Sequence, residues 1–278
     1  MTGFHEQLAT GWRASGSMMC VGLDPAPGRH DGDGDAVFAF CRDLVDAVGD
    51  LVCAVKPQIA HFSAQRAEVQ LERLCTHVRE QHPHVTIILD AKRGDVESTS
   101  RHYASEAFDR YGVHAVTVNP YLGTDAAAPF LTKGGVIALC RTSNPGAGEL
   151  QDLDVDGRPL YLHVAEMVAT RWADLGECGL VTGATAAHEL GRVRKVARTL
   201  PLLVPGLGAQ GGDVAASVHA GATADGAGLI MSASRSVMYP AGHDGSADDI
   251  RLAASRAEAQ RLHAEIRAAL QAPATAPP

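Results

Sequence analysis

The chain has 278 residues, of which 46% are hydrophobic and 20% are charged, and its formal net charge is −8. This composition is that of a globular protein with a sizeable apolar core, and it excludes a disordered chain. The acidic balance argues against a dedicated nucleic-acid binder, because phosphate backbones are held by an excess of Lys and Arg. A small phosphorylated ligand needs only one local basic group and a few backbone N–H donors, so it is not excluded.

Short apolar runs that end in a polar or glycine residue recur along the chain, and they predict strands buried on both faces. In chain order they are Met18–Leu23, Leu51–Val55, Val85–Leu89, Ala115–Val118, Val136–Cys140, Gly179–Val181, Leu202–Val204 and Gly228–Met231. The stretches between them have apolar residues at helical spacing, most clearly in Asp35–Val48, Val69–Val78 and Ala187–Leu200. Strand and helix alternating about eight times are typical of a parallel α/β protein.

Eight such units favour a single closed (β/α)₈ barrel, the TIM barrel, which runs to about 250 residues as one domain. The alternative, an open doubly wound sheet, would carry G-x-G-x-x-G after its first strand. The first strand here runs instead into the segment GLDPAPG, which lacks that pattern. No linker divides the chain, so we predict one barrel domain over residues 1–278, with a disordered tail from about residue 271.

The most irregular stretch, Thr142–Pro159, predicts a long loop after the fifth strand, of the kind that often acts as a lid. The six cysteines form no C-x-x-C pair, which favours small buried side chains in a reducing compartment over disulfides or a zinc site. The beginning of the chain has no signal-peptide character, and no window approaches the roughly 18 to 20 apolar residues that span a bilayer. We therefore expect a cytoplasmic protein with no membrane partner.

In a parallel barrel the active site lies at the carboxyl ends of the strands. Polar or glycine residues follow most of the predicted strands, and we expect them to meet at one mouth: Asp24, Lys56, Asp90, Lys92, Asp95, Thr99, Arg141, Thr142, Ser143, Gly206, Gly208, Gln210, Ser234 and Arg235. The thirteen histidines have no H-x-x-x-H or H-E-x-x-H spacing, so we predict no metal site.

The run from Asp90 to Asp95, DAKRGD, carries the clearest chemistry. Asp90 and Lys92 are two residues apart at a strand end, so their side chains are predicted to project to the same face. Lys56 follows the preceding strand, and Asp95 can curl back or reach a neighbouring subunit. An ammonium flanked by carboxylates stays protonated, so a lysine here is a poor Schiff-base nucleophile but a well-placed proton donor.

A carboxylate fixed in such a network would repel a substrate carboxylate placed beside it, and would repel the decarboxylated product far less. This charge arrangement favours carbon–carbon cleavage followed by protonation at the vacated carbon. The alternative is an ordinary salt-bridge network at a barrel mouth. The presence of Asp24, Lys56 and Asp95 at other predicted strand ends or turns favours the functional interpretation.

A second cluster, PGLGAQGG at residues 205–212, follows the seventh strand, where many barrels hold a phosphate. Its glycines let backbone N–H groups approach an anion closely, and Gln210 can donate an amide N–H. Arg235, after the eighth strand, offers a planar fork of donors to phosphate oxygens. Ser143 has no G-x-S-x-G nucleophile elbow, so we interpret it as a hydrogen-bonding partner of a ligand ring.

The segment LDAKRGDVESTS resembles the D-x-K-x-x-D-[IV]-x-x-T signature of the orotidine 5′-phosphate decarboxylase family. The segments VGLDP, AVKPQIAHF, TSNPG, VPGLGAQGG and SASR are similar to the family's other site segments and occur in the same order. The resemblance covers the chain from about Met18 to Tyr239, and VKPQ and TSNPG look most like the bacterial long-chain subgroup.

The resemblance implies a lyase that converts orotidine 5′-phosphate to UMP, the last step of de novo pyrimidine biosynthesis, with no metal and no organic cofactor. Lys92 would protonate C6 of the pyrimidine after CO₂ leaves, and Asp90 would lie beside the departing carboxylate. Lys56 and Asp95 would complete the alternating network. In the family the last aspartate comes from the partner subunit, which implies a homodimer in which Asp95 reaches the partner's site.

The resemblance also implies the substrate-binding residues, which are Asp24, Thr99, Ser143, Gln210, Ser234 and Arg235. Asp24 would contact the ribose together with Lys56, and Thr99 would contact the ligand bound by the neighbouring subunit. Ser143 would read the pyrimidine edge. Gln210 and Arg235 would hold the phosphate, helped by backbone groups near Gly208 and Ser234.

Two rival interpretations stay open. Sugar-phosphate relatives on the same barrel, 3-keto-gulonate 6-phosphate decarboxylase and hexulose-phosphate synthase, share the D-x-K-x-x-D strand but carry an acidic metal ligand after strand two. This chain has Lys56 there, and a lysine would repel Mg²⁺. A barrel that merely binds a nucleotide would lack at least one charge of the network, and none is missing.

Overall fold

The structure is a computed structural model that describes residues 2–30, 34–207, 212–243 and 248–272. Eight parallel strands close into one barrel in chain order, with the first strand paired to the eighth. The strands are β1 (Met19–Leu23), β2 (Ala54–Pro57), β3 (Thr86–Arg93), β4 (Ala115–Val118), β5 (Gly135–Arg141), β6 (Cys178–Thr182), β7 (Leu202–Pro205) and β8 (Leu229–Ala233). The predicted (β/α)₈ barrel is confirmed.

Helices connect the strands and cover the barrel. They are α1 (Phe4–Ser15), α2 (Gly34–Val48), α3 (Ile59–Ser63), α4 (Glu68–Gln81), α5 (Glu97–Ser105), α6 (Thr124–Leu131), α7 (Leu160–Met167), α8 (Ala187–Val196), α9 (Val214–Gly221), α10 (Arg235–Met238) and α11 (Asp248–Gln271). The apolar spacing of Val37, Phe40, Cys41 and Leu44 gives α2 one buried face. A helix with one buried face of this kind packs that face against the strands.

Two strand boundaries differ from the sequence prediction by three residues or more, and the others by no more than two. Leu51 was expected in the second strand but lies in a 3₁₀ helix, Gly49–Leu51, and β2 begins only at Ala54. Apolar character alone does not separate a buried connection from a strand. The third strand runs past the predicted end at Leu89 as far as Arg93, so Asp90 and Lys92 lie within β3 and not after it.

The predicted irregular loop Thr142–Pro159 is more structured than expected. It contains a 3₁₀ helix, Pro145–Glu149, and a two-stranded antiparallel hairpin of Asp154–Val155 with Arg158–Pro159. The hairpin turn places Asp156 at φ 52° and Gly157 at φ 79°. An Asp-Gly pair favours such a turn, because both central residues of a type I′ turn have positive φ.

The first helix closes the amino-terminal end of the barrel. Phe4 and Leu8 are buried against the side chains that fill the barrel interior, including Ile88 and Ile230. Trp12 Nε1 donates to the Leu229 carbonyl at 2.9 Å. This end is therefore filled with apolar side chains, whereas the carboxyl ends of the strands leave a cavity.

All six cysteines are free and buried, as predicted, whereas the reducing compartment stays a prediction. Within the described ranges, no helix has both the length and the apolar character that crossing a bilayer requires. The tail predicted to be disordered from about residue 271 lies, from residue 273 onward, outside the described residues, and α11 extends to Gln271.

Candidate active site

A cavity of about 380 Å³ opens at the carboxyl ends of the strands. It combines a charged floor with an apolar wall and a polar rim, and its lining residues are Lys56, Asp90, Lys92, Thr117, Leu139, Thr142, Ser143, Asn144, Gln151, Val181, Leu203 and Pro205. Three of the four predicted catalytic residues and the predicted ring-binding serine therefore line the same cavity.

Asp90 lies between two lysines at the floor of this cavity. Lys56 Nζ donates to Asp90 Oδ2 at 2.9 Å, and Lys92 Nζ donates to Asp90 Oδ1 at 2.7 Å. The side chains of Lys56 and Asp90 are 6% and 11% exposed, whereas that of Lys92 is 48% exposed. The buried pair therefore forms the base of the site, and Lys92 is the group that a ligand can reach.

Burial and charge act in opposite directions on these groups. Burial alone would raise the pKa of Asp90, but the positive charges of Lys56 and Lys92 outweigh it and hold that pKa well below its ordinary value. Burial alone would lower the pKa of Lys56, but the negative charges of Asp90 and Asp24 outweigh it and raise that pKa. Near neutral pH the pair is therefore a carboxylate and an ammonium.

The backbone of β3 departs from a regular strand where it carries this network. Leu89 pairs with Val116 and Arg93 pairs with Val118, so β3 advances four residues while β4 advances two. Lys92 has a φ of 47°, in the left-handed region that non-glycine residues seldom adopt. The prediction that Asp90 and Lys92 share a face assumed regular alternation, whereas a bulge brings them into contact.

Thr117 on β4 lines the cavity and was missed by the sequence analysis. Its hydroxyl donates to Asp90 Oδ1 at 2.9 Å and accepts from the backbone N–H groups of Ala91 at 3.0 Å and Lys92 at 2.9 Å. A signal was present in the sequence, because Thr117 is the only polar residue of the strand AVTV. The sequence prediction considered only residues that follow a strand, so it passed over Thr117, which lies inside one; it also passed over Asn119, the polar residue that immediately follows this run.

Asp24 and Ser234 lie at the carboxyl ends of β1 and β8, beside the network. Asp24 follows β1, and Gly22 of that strand is in register with Lys56. Asp24 Oδ1 is buried and has no hydrogen-bond partner within the described residues, which is costly unless a ligand supplies one. Ser234 packs so closely on Gly22 that any side chain at position 22 would collide with its hydroxyl.

Thr99 lies in the first turn of α5 and Asp95 lies two residues before that helix, and neither lines the cavity of its own chain. Asp95 Oδ1 accepts from the Val96 N–H at 2.7 Å, and it forms no ion pair with any lysine of the described residues. Three large apolar side chains nearby, Val96, Tyr121 and Leu122, are exposed. The fourth charge of the predicted network is therefore not brought to the other three within one chain.

Ser143 lines the cavity where the segment after β5 begins, and side-chain contacts hold this segment in place. Gln151 Nε2 donates to Thr142 Oγ1 at 2.9 Å, and Gln151 Oε1 accepts from the Thr142 N–H at 2.8 Å. Arg141 binds both carboxylate oxygens of Asp152, at 2.8 and 2.9 Å. These contacts hold in place the residues on either side of the 3₁₀ helix that line the cavity, which are Thr142, Ser143, Asn144 and Gln151.

The predicted phosphate site is only partly within the described structure. Gln210 and Gly208 lie outside the described residues. Arg235 is the first residue of α10; it is exposed and does not line the 380 Å³ cavity. It borders instead a separate concavity of about 610 Å³ that includes Tyr239 and Arg261.

Potential metal ligands lie elsewhere on the molecule. Within the described residues, the only group of three histidine or acidic side chains close enough to share an ion is Asp46, His77 and His82, on α2 and at the end of α4. The cavity itself presents two ammonium groups around its carboxylate, a donor set that repels a divalent cation.

The fold and the cavity place the chain among the (β/α)₈-barrel enzymes. Residues 17–249 match the model of the orotidine 5′-phosphate decarboxylase / HUMPS family. Two curated relatives, both named orotidine 5′-phosphate decarboxylase, are 54% identical. The one from Bordetella petrii aligns over 87% of this chain and 92% of its own, and the one from Cupriavidus taiwanensis over 85% and 89%.

Solved structures agree with these relatives. The structure of OMP decarboxylase from Leishmania donovani is 35% identical, with a TM-score of 0.85 over 98% of this chain and 100% of that chain. UMP synthase from the same organism is 36% identical, with a TM-score of 0.86, and this chain spans 57% of its length. The chain therefore belongs to the orotidine 5′-phosphate decarboxylase / HUMPS family, and the prediction of a carboxy-lyase is confirmed.

Proposed function

We propose that this chain decarboxylates orotidine 5′-phosphate to UMP without a metal or an organic cofactor. The observation that carries the proposal is Asp90, held between Lys56 and Lys92 at the base of a cavity of about 380 Å³. The names of the relatives indicate the substrate, and the charges of Asp90, Lys56 and Lys92 indicate how the reaction can proceed.

The proposed reaction breaks the bond between C6 of the pyrimidine and its carboxylate. A substrate carboxylate beside Asp90 is repelled by a like charge, and the repulsion falls when neutral CO₂ leaves. The apolar side chains of Leu139, Val181 and Leu203 line the cavity, and such a wall suits CO₂ better than it suits a carboxylate. The electron pair of the broken bond stays on C6.

Lys92 then donates the proton that C6 requires. Its side chain is the exposed one of the two lysines, and its Nζ donates to Asp90 Oδ1 at 2.7 Å. Transfer of the proton leaves a neutral amine, which regains a proton from solvent after UMP departs. Lys56 keeps Asp90 ionised throughout. In this proposal the ammonium groups, and not a metal ion, stabilise the carbanion.

Substrate binding is assigned to the groups around this centre. The buried Asp24 Oδ1, which has no partner within the described structure, suits a ribose hydroxyl. Ser143 suits the polar edge of the pyrimidine, and Thr99 a ligand bound by the neighbouring subunit. Gln210 and Arg235, with Ser234 and the glycine-rich segment, suit the phosphate.

The homodimer is part of the proposal because Asp95 forms no ion pair with a lysine within the described residues. Val96, Tyr121 and Leu122 have exposed apolar side chains. We take them as one patch beside Asp95, because Val96 follows it and the segment after β4 packs against Gly94, and exposed apolar patches mark interaction surfaces. A second copy docked on this patch buries it and brings Asp95 to the partner's network. A cytoplasmic location and the lack of a nucleic-acid partner stay predictions.

The sugar-phosphate members of the family are the second candidate. They need an acidic metal ligand after the second strand, and here Lys56 occupies that position with its ammonium in contact with Asp90. A divalent cation at this point would meet a buried positive charge, which favours the metal-free reaction.

The direct test is turnover of orotidine 5′-phosphate after exhaustive treatment with a chelator, followed as loss of the orotate absorbance. The proposal requires conversion to UMP at the same rate with and without added Mg²⁺. No turnover under both conditions would refute the substrate. Turnover only with Mg²⁺ would refute the metal-free reaction.

The shared site is tested with hybrid dimers. One chain carries Lys92→Ala and the other Asp95→Ala, each with its own affinity tag, and hybrids are isolated over two columns. If Asp95 serves the partner's site, each hybrid keeps one intact site and has about half the wild-type activity. Both parent homodimers serve as inactive controls, and inactive hybrids would place Asp95 in its own chain's site.

The phosphate assignment is tested with Arg235→Ala. Because charge-assisted hydrogen bonds to phosphate act on binding, KM should rise about 10- to 100-fold while kcat changes less. The nearby Arg261→Ala, which removes an arginine from the same concavity, is the matched control. An unchanged KM in Arg235→Ala would place the phosphate elsewhere.

A further inference from the structure

The backbone at Lys92 is held in a conformation that its own residue type disfavours. Its φ is 47°, and within the described structure only Arg66 and Asp156 share this feature among residues other than glycine. Lys92 is the only one of the three that lies inside a barrel strand. Such conformations cost free energy and persist only where the surroundings hold them in place.

One residue of β4 faces the whole irregular part of β3. Between the pairs Leu89–Val116 and Arg93–Val118, three residues of β3 lie opposite Thr117 alone. A regular ladder would offer carbonyl partners to the N–H groups of this stretch. Two of those N–H groups, at positions 91 and 92, bind the Thr117 hydroxyl instead.

The Thr117 hydroxyl uses its entire hydrogen-bonding capacity in this position. It accepts two N–H groups, at 3.0 and 2.9 Å, and donates its proton to Asp90 Oδ1 at 2.9 Å. The same carboxylate oxygen accepts from Lys92 Nζ at 2.7 Å. A hydroxyl has two acceptor positions and one proton, so none is left for a ligand although Thr117 borders the cavity.

We propose that Thr117 is a positioning residue that locks the bulge of β3 and thereby aims Lys92 and Asp90. This role rests on the proposed decarboxylation and goes beyond it, because it assigns the geometry of the proton donor to a side chain on another strand. Thr117 ties the backbone of Lys92 and the carboxylate of Asp90 to one buried oxygen atom. Without that atom, two N–H groups lose their partner and Asp90 Oδ1 loses one of its donors.

The test is a pair of substitutions at position 117 with a matched control. Thr117→Val keeps the shape of the side chain and removes the hydroxyl. Because small displacements of a reacting group cost about 100-fold in rate, kcat should fall by about that factor while KM changes less than about threefold. Thr117→Ser retains the hydroxyl and should recover kcat to within about threefold of wild type.

Thr86→Val is the control, because it makes the same change at the other end of β3. Thr86 is equally buried, and its hydroxyl has no hydrogen-bond partner within the described residues. Its kcat should stay within about twofold of wild type, since no bonded hydroxyl is lost. A loss in Thr86→Val as large as that in Thr117→Val would overturn the proposal, because the effect would belong to any buried threonine of the strand.

A structural readout separates this proposal from the proposed reaction. Crystal structures of the wild type and Thr117→Val should differ at residue 92, with φ no longer positive or Lys92 Nζ no longer in contact with Asp90. Retention of both features, wild-type kcat in Thr117→Val, or a Thr117→Ser enzyme as slow as Thr117→Val would each refute the positioning role. If Thr117→Val does not fold, Thr117→Ala against Thr117→Ser makes the same comparison. If the wild type does not turn over orotidine 5′-phosphate, the proposed function fails and the crystal structures still decide the role of Thr117.

Discussion

Two carboxylates of this chain each lie between two basic side chains, one in the barrel mouth and one on the outside. Asp90 contacts the two lysines of the cavity, one on each oxygen. Asp46 of α2 accepts from His77 Nε2 at 2.7 Å and from His82 Nε2 at 2.8 Å, both on the same oxygen. The Asp90 side chain is 11% exposed and the Asp46 side chain 45%.

The difference in exposure separates a site from a surface feature. In both places neighbours lower the pKa of the carboxyl against the opposing effect of burial. Water screens the charges around Asp46, so its contacts contribute little to stability. Asp90 and Lys56 are shielded from water, which makes their mutual effect large. The half-exposed Lys92 is held beside the cavity by its contact with this buried pair.

The largest expected effect is loss of turnover in Lys92→Ala. Removing the proton donor should lower kcat by a factor of at least about 10³, because general acid catalysis contributes up to about 10⁴-fold. Binding of UMP, measured by calorimetry, should persist because the ribose and phosphate contacts remain. His77→Ala, which removes a basic neighbour of the exposed carboxylate, is the control and should leave kcat unchanged. Substantial turnover in Lys92→Ala would remove its role as proton donor.

The next effect concerns stability and compares two equivalent substitutions. Asp90→Asn leaves two ammonium groups without their counter-ion, and the free energy of unfolding at pH 7 should fall by about 3–5 kcal/mol, as for other buried ion pairs that lose one partner. Asp46→Asn should lower it by less than about 1 kcal/mol. Urea titrations measure the free energy of unfolding of both variants. Equal losses of free energy in the two would show that burial does not distinguish the two clusters.

The smallest effect is the pH dependence of the stability difference between wild type and Asp90→Asn. The ordinary pKa of an aspartate carboxyl is 3.8, and the pKa of Asp90 in the folded protein lies below it. Such a group stabilises the folded state at pH values above its unfolded pKa, and this stabilisation is lost as the pH falls through the folded pKa. A lysine whose pKa is raised above 10.5, as for Lys56, contributes stability fully below that value and loses it only at higher pH. The stability gap between wild type and Asp90→Asn should therefore stay constant from about pH 5 to pH 8 and shrink below about pH 4. A gap that widened toward acid pH would contradict the depressed pKa.

Much of the fold and of the charged centre follows from local sequence patterns. All eight strands were predicted, because strands of a closed parallel barrel are buried on both faces and appear as continuous apolar runs. Lys56, Asp90, Lys92 and Ser143 were placed at one mouth, because the carboxyl ends of parallel strands share one end of a barrel. These inferences need no knowledge of distant contacts.

The remaining features depend on contacts between strands that no local pattern specifies. The bulge at Lys92 arises from the pairing of β3 with β4, and Thr117 matters only because three residues of β3 lie opposite it. Closure of the barrel floor by Phe4 and Leu8 also requires the complete barrel. The hairpin turn at Asp156 is different, because its Asp-Gly signal was in the sequence and was not used.

The measurement that tests the central claim most directly is the product formed in D₂O by the chelator-treated wild-type enzyme from orotidine 5′-phosphate. Proton donation by Lys92, whose ammonium protons exchange with solvent, predicts UMP that carries a single deuteron at C6, detected by mass spectrometry and proton NMR. Lys92→Ala under the same conditions should form almost none. Absence of UMP from the metal-free wild-type enzyme, or equal amounts of deuterated UMP from both enzymes, would contradict the account.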